Sequence, residues 1–438
     1  MREKSAWPIL YNTLGVPSIE AALFVTSFWS DKAGLARKGQ KQTLATIAGS
    51  VQKTKGKEPR LWFHAASAGE LLQIKPLLEK LHQMHSRGSF LLTFFSPSAE
   101  DLATSCEHKD MAFYLPGDRR RSVHQMLTTF KPNAILFSRY DIWPNLVWES
   151  SRMGVKLAIV GATLHERSGR LRFGAKSLYR SVHRHFDFVG ASTEEDATLY
   201  MKLDVDPDCI VVTGDMRYDQ TYQRAHSPAL DHAILAPLKL KGKVLVAGST
   251  WPDDDKLLIP AYAQAREKHG DLKLILVPHE IRESQLSNVE AQACEHSLSV
   301  QRYSQLKQDP NLIQSIDVAL VDEVGFLAHV YSLGAIAYVG GGFGSGVHNV
   351  MEPACFGVPV FIGPQWSGSR EAALMLRKGA AFEVRRSDGL ANLLVDILER
   401  QSWRKEAGEK ALEVVKENLG ATEKTVAELH KRFPGIFG

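Results

Sequence analysis

The sequence predicts an α/β protein built of two parallel-sheet domains in succession. Three observations predict it. From residue 58 onward, short apolar runs alternate with helix-length amphipathic stretches, the rhythm of repeated βα units. That rhythm stops between Asp215 and Lys243 and then restarts. At 438 residues, with 44% hydrophobic and 23% charged side chains, the chain is long enough for two full cores.

The first 42 residues stand apart from the rest. From Ser5 to Ser30 (SAWPILYNTLGVPSIEAALFVTSFWS) the only charge is Glu20, and Lys32, Arg37, Lys38 and Lys41 follow. A continuous helix here would span roughly 39 Å at 1.5 Å per residue, but Gly15, Pro17 and Glu20 interrupt its centre. Trp7 and Trp29 near the ends, with basic residues outside, suit an anchor lying in a membrane interface. Residues 1–42 are therefore expected to associate with a membrane. An apolar helix covering the first core is the competing reading. A cleaved signal peptide is disfavoured, because no A-x-A-like site follows the apolar part.

Residues 43–215 are expected to form the first Rossmann-like domain, with strands at RLWFHA, SFLLTFFS, MAFYLP, NAILFS, KLAIVGA, DFVGAS and CIVVTGD. Residues 216–242, polar and Ala-rich with Pro228 and Pro237, read as a linker. Residues 243–438 restart the pattern with KVLVAGST, LKLILVPHE, LSVQRYS, DVALVD, AIAYVGGG, VPVFIGP and AAFEVRR, and only helical patterning remains after about Ser387. Near-continuous apolar strands separated by helices mean parallel sheets covered on both faces. Two such domains in a row are expected to leave a cleft between them.

Composition excludes several classes of function. A net charge of +4 over this length, without a basic motif interleaved with aromatics, argues against nucleic acid. Cys106, Cys209, Cys294 and Cys355 are far apart with no C-x-x-C pair, which argues against a zinc or disulfide framework. Arg167–Phe186 carries six Arg or Lys and no acid. It is either a solvated helix face or a cationic surface for phosphates and anionic lipid.

Ligands of open α/β sheets sit outside the carboxyl ends of the strands. The polar residues of interest fall there: HAASAGE, with His64 and Glu70, after the first strand; GSTWPDDD and VPHEI early in the second half; and GGGFGSGVHNVME at 340–352. The run Gly340-Gly341-Gly342, with a helix-sized segment opening near Asn349, reads as a phosphate cradle of close backbone N–H groups and a helix dipole. It is not the G-x-G-x-x-G of nicotinamide folds, since the spacing to the helix is longer and no acid ends the next strand. Asn349 and Glu352 have the spacing of a capping box; alternatively, Glu352 accepts ribose hydroxyls. Pro252 followed by Asp253, Asp254 and Asp255 reads as a helix start and not as a metal-binding D-x-D, so no metal is expected.

Taken in order, HAASAGE, Trp143-Pro144-Asn145, Gly214-Asp215, Gly248-Ser249-Thr250, Val277-Pro278-His279-Glu280 and GGGFGSGVHNVMEPACFGVPVFIGP resemble the 3-deoxy-D-manno-octulosonate (Kdo) transferases over nearly the whole chain. The resemblance implies a GT-B fold, with two Rossmann-like domains facing across a cleft, and an inverting transfer of Kdo from CMP-Kdo to a lipid A precursor. It implies action at the cytoplasmic face of the inner membrane, with no cofactor and no metal. Glu70 would be the base that takes the acceptor's proton. Ser249, Thr250, His279, Gly341, Gly342, His348, Asn349 and Glu352 would surround cytidine, ribose and phosphate, and a Lys or Arg left open would face the Kdo carboxylate. Many relatives carry E-T-E-L-W-P-N where this chain has Arg139-Tyr140-Asp141-Ile142-Trp143-Pro144-Asn145. The first acid is replaced, and Asp141 is left to keep the role of the second. Alternatives are another GT-B sugar-nucleotide enzyme, such as an epimerase, and a non-catalytic lipid-binding protein on the same fold.

Overall fold

The structure, a computed structural model, describes residues 6–227 and 232–437. Each apolar run chosen above is a strand. The first sheet contains β1 (Arg60–His64), β2 (Ser89–Phe94), β3 (Met111–Tyr114), β4 (Ala134–Ser138), β5 (Lys156–Ala162), β6 (Phe188–Ala191) and β7 (Ile210–Val212), in the order β3-β2-β1-β4-β5-β6-β7. The second contains β8 (Lys243–Thr250), β9 (Leu272–Pro278), β10 (Val300–Arg302), β11 (Val318–Leu320), β12 (Ile336–Val339), β13 (Val360–Ile362) and β14 (Ala381–Glu383), in the order β10-β11-β9-β8-β12-β13-β14. Every pairing is parallel. Central strands such as β1 and β4 are buried along their whole length, because helices cover both faces and leave no side for polar residues.

The chain divides into two units: one runs up to Gln220 and is rejoined from Leu419 onward, and the other is Thr221–Asn418. Sequence patterning put 419–438 in the second domain; the structure corrects this. Asp219 accepts hydrogen bonds from the Gly420 and Thr422 N–H groups (both 2.7 Å), which caps the helix Ala421–Arg432. Val426, Leu429, Phe433 and Phe437 then join the core that holds Leu77, Leu81 and Phe90 of the first unit. An amphipathic pattern tells that a helix has a buried face but not which sheet it covers. The supposed linker 216–242 is also mostly helical where described, with helices Met216–Ala225 and His232–Leu235 and a turn at Ala236–Leu238; Pro228 lies outside the described residues.

The N-terminal segment is helical from Trp7 to Thr26, with a π-helical turn at Tyr11–Gly15 just ahead of Pro17, whose missing N–H breaks the regular ladder. These 20 residues, of mean hydropathy 1.3, are long and apolar enough to cross a membrane. Only Tyr11 and Val16 are buried, while Ile9, Leu14, Phe28 and Trp29 are 62–81% exposed. Tyr11 and Val16 join the first unit's core, with Trp7 packed against it, so the segment covers part of that core while leaving other apolar side chains exposed.

Candidate functional site

In the first unit, the chain leaves β1 through Ala65 and Ala66, and the helix Ala68–Met84 starts. Its apolar residues Leu71, Ile74, Leu77, Leu78 and Leu81 recur at helical spacing and are buried. Ser67 caps it, its Oγ accepting the Glu70 N–H (3.5 Å), while Glu70 Oε2 accepts the Ala66 N–H at 2.6 Å. Glu70 is 5% exposed. Burial raises its carboxyl pKa above the ordinary value; the Ala66 hydrogen bond, His64 and Arg139 pull the other way, and Asp141 adds to the rise. A desolvated carboxylate with a raised pKa is a stronger base than one in water.

Asp141 belongs to the same cluster. Its Oδ2 lies 3.1 Å from His64 Nε2 and accepts the Trp143 Nε1–H at 3.1 Å, while His64 Nδ1 meets Thr93 Oγ1 at 3.0 Å. Burial would raise the Asp141 pKa, but the hydrogen bond and charge of His64, with the Trp143 indole, outweigh it and hold the carboxyl below the usual range. It is a fixed anion and a poor base. Arg139, directly after β4, has a φ of 57°, a left-handed backbone that side chains rarely adopt. The rest of the W-P-N motif serves another purpose. The N–H groups of Asn145 and Leu146 bind the buried Asp118 carboxylate (2.9 and 3.1 Å), and the Asn145 amide pairs with Asn12 of the N-terminal segment (2.8 and 3.0 Å).

In the second unit, β8 ends on Ser249, with a φ of 54°, and on buried Thr250, whose carbonyl accepts the His279 N–H at 2.9 Å. Asp254, in the first turn of the helix Pro252–Lys268, accepts the N–H groups of Trp251 (2.9 Å) and Gly341 (2.8 Å) and the Tyr338 hydroxyl (2.7 Å). All of this matches a helix-start role for the acid. Trp251 stacks on His279 (centroids 4.8 Å) and His279 on His348 (4.2 Å), and Trp251 Nε1–H donates to His348 Nε2 at 2.9 Å. Sequence reasoning did not choose Trp251, although an aromatic directly after G-S-T at a strand end was the available signal.

With Nε2 accepting, the proton of neutral His348 sits on Nδ1. Burial, with His279 alongside, lowers the His348 pKa to about 4. The folded ring stays neutral where an ordinary imidazole of pKa 6.5 would charge, so its contribution to stability is full above pH 6.5 and is lost as pH falls toward 4. Trp251→Phe removes the donor to Nε2. The two tautomers of His348 are then expected to mix, as read by long-range ¹H–¹⁵N NMR, while burial and His279 still hold the pKa below the ordinary value. An unchanged tautomer in the variant would mean that the indole does not set the ring's state.

The glycine loop meets a packing demand as well as offering backbone donors. A Cβ on Gly340 would lie 2.3 Å from the Ser249 carbonyl oxygen, one on Gly341 2.3 Å from that of Gly346, and one on Gly342 2.6 Å from Gly363 Cα. These glycines let the ends of β8, β12 and β13 touch. The N–H groups of Gly340, Gly341, Gly344, Gly346, Val347 and His348 are already engaged within the protein. Those of Gly342, Phe343, Ser345 and Asn349 have no partner among the described residues. The helix expected near Asn349 is one turn, Met351–Ala354, too short to carry much dipole. Nor is there a capping box: Asn349 Oδ1 accepts the Met351 N–H (3.1 Å), and its amide reaches Glu352 Oε1 (3.4 Å). Burial raises the Glu352 pKa, against the opposing pull of Arg224, whose guanidinium is 4.0 Å away. Arg224 is a cation near the expected sugar-nucleotide residues that the sequence left unnamed.

Two Rossmann-like units in succession, each built on a seven-stranded parallel sheet, give the chain a fold of the GT-B class. The fold is similar to that of the UDP-GlcNAc 2-epimerase of Neisseria meningitidis bound to UDP-GlcNAc (TM-score 0.62, 14% identity, 85% of this chain and 100% of that one). A second likeness is to a putative UDP-N-acetylglucosamine 2-epimerase of Listeria monocytogenes (TM-score 0.62, 12% identity, 86% and 97%). Residues 32–220 match the family model described as 3-Deoxy-D-manno-octulosonic-acid transferase (kdotransferase). The chain is 29% identical to the 3-deoxy-D-manno-octulosonic acid transferase of Aquifex aeolicus over 353 residues (80% of this chain, 88% of the relative). It is 25% identical to that of Haemophilus influenzae over 370 residues (83% and 85%). The chain is thus similar to Kdo transferases over about four-fifths of its length, and the family model matches within its first unit.

Proposed function

We propose that the protein transfers Kdo from CMP-Kdo to a lipid A precursor in a single inverting displacement. The observation that carries this reading is Glu70: a buried carboxylate, one oxygen held by Ala66 N–H, its pKa raised by burial, in an S-A-G-E segment within the residues that match the Kdo transferase family model. As the bond from the anomeric carbon to the phosphate oxygen of CMP breaks, the acceptor oxygen bonds to that carbon and its proton passes to Glu70. The products are the Kdo-lipid and CMP. Charge building on the departing phosphate needs donors, and the free N–H groups of Gly342, Phe343, Ser345 and Asn349, with the Nδ1–H of His348, are suited to supply them. Glu352 suits ribose hydroxyls and Arg224 the Kdo carboxylate. The test is to incubate the purified protein with CMP-Kdo and tetraacylated lipid A precursor and weigh the lipid. A gain of Kdo is expected; no gain, with turnover of a UDP-sugar instead, would favour the epimerase alternative.

The acceptor is a lipid, and the N-terminal segment suits an anchor lying in the cytoplasmic face of the inner membrane. Tyr11 OH donates to Asp118 (3.0 Å), Asn12 pairs with Asn145, and Glu20 pairs with Arg119. These polar ties along one face hold the helix on the body, while the opposite face offers apolar side chains. A spanning helix would have to break them. Alkaline carbonate is accordingly expected to strip the protein from membranes; retention in the washed pellet would favour a spanning segment.

A further inference from the structure

A cavity of about 570 Å³ lies between the N-terminal segment, the helix Asp31–Gln52, the loop 116–119 and Trp143. That volume is within the usual range of ligand pockets, about 300–1,000 Å³. Its lining is divided by chemistry. Val16, Ile19, Leu23, Leu44 and Trp143 supply apolar surface, and Arg37, Lys41 and Arg119 bring positive charge. The acids are engaged: Glu20 pairs with Arg119, and Asp118 accepts the Tyr11 hydroxyl and two backbone N–H groups. Lys41 and Arg37 have no carboxylate partner among the described residues, and the Arg37 guanidinium lies 4.4 Å from the Phe24 ring centroid. The unspent charge at the cavity is positive. A half-open pocket with apolar walls and cations at its edge complements an anionic amphiphile: a hydrocarbon chain inside, a phosphate at the edge.

A chain of contacts through Trp143 and Phe95 links the cavity to Glu70. Trp143 lines it and donates to Asp141. The same indole packs on Phe95 (centroids 5.4 Å), whose N–H donates to the Ala66 carbonyl (3.2 Å), and Ala66 N–H holds Glu70.

We propose that this cavity takes one acyl chain of the lipid acceptor, with an acceptor phosphate on Arg37 and Lys41, so that chain capture brings the sugar hydroxyl to Glu70. The inference rests on the acceptor reading above. The probe is a tetraacylated lipid A precursor with a diazirine at the end of one chain, photolysed with the full-length protein in detergent micelles. Label is expected on Val16–Phe24, Leu44 or Trp143. Ala21→Trp and Leu44→Trp, which fill the cavity from two different helices, are each expected to cut labelling by about tenfold or more. The same variants should raise KM for the tetraacylated acceptor about tenfold while leaving transfer to the deacylated disaccharide phosphate unchanged. Label outside the cavity, competition by phosphatidylglycerol as effective as by unlabelled acceptor, or equal loss on acylated and deacylated acceptors would each overturn the proposal. Wild-type protein that labels in the cavity but transfers Kdo to neither acceptor would instead fault the catalytic reading and leave the chain site standing.

Discussion

Glu70→Gln is expected to lower turnover by about 10²-fold or more while leaving CMP-Kdo binding nearly intact. The geometry makes this substitution unusually clean. A carboxylate in the first turn of a helix has an ordinary structural role, and Glu70 Oε2 does accept the Ala66 N–H at 2.6 Å. The amide oxygen of glutamine can accept that same N–H, so the local structure is kept and only the capacity to take a proton is lost. If the residue were purely structural, glutamine would cost at most the charge–dipole part, roughly 0.3–1 kcal/mol of stability, and little rate. Single-turnover kinetics with CMP-Kdo and the lipid precursor, alongside calorimetry with CMP, separate the two. The pH profile is a second readout: because burial raises the Glu70 pKa, the wild-type rate should climb with pH through a value above the ordinary carboxyl range, and that limb should vanish in the variant. Transfer within a few-fold of wild type would remove Glu70 from the mechanism. Asp141 would be a weak substitute, since His64 and Trp143 hold it as a stabilised anion.

Strands were the most legible feature of this chain, for a physical reason. A parallel strand covered on both faces must be apolar throughout, so KVLVAGST and NAILFS announce themselves without any partner being known. Which sheet a helix covers is not written locally. The helix Ala421–Arg432 shows only that it has an apolar face, and the information that sends it back to the first unit lies some two hundred residues earlier, in Asp219. The candidate site divides in the same way. Glu70, Asp141, His279 and His348 could be chosen because the motifs that hold them resemble those of the Kdo transferases, a choice that agrees with the strand-end rule for ligands of this fold class. Trp251 and Arg224 could not, because their importance comes from contacts made across the fold: an indole N–H on His348, a guanidinium beside Glu352. The glycine run was legible as a need for bare backbone. What the backbone must approach was read only in part, since a phosphate and a neighbouring strand end make the same demand on sequence.

Gly342→Ala is expected to destabilise the second unit by about 1–3 kcal/mol, the range for overpacking a filled interior, and Gly342→Val by more. The Cβ of either residue would fall 2.6 Å from Gly363 Cα, 2.7 Å from its N and 2.8 Å from its C. Those atoms are main chain and cannot swing aside as the tip of a side chain could. Relief requires separating the ends of β12 and β13, which are also joined by the Gln365 N–H donating to the Gly342 carbonyl (2.8 Å). A phosphate cradle would let valine here block the ligand while the fold survived; the packing instead makes weaker CMP binding a consequence of lost structure. Gly344 is the internal control. A Cβ there meets nothing within 4 Å, so Gly344→Ala should stay within about 0.5 kcal/mol of wild type in denaturant titrations. The comparison discriminates because both glycines lie in one loop, two residues apart, and differ only in what surrounds them. Should Gly342→Ala prove as stable as Gly344→Ala and yet fail to bind CMP, the strand-end packing account would be wrong and the open cradle would be the better description of this loop.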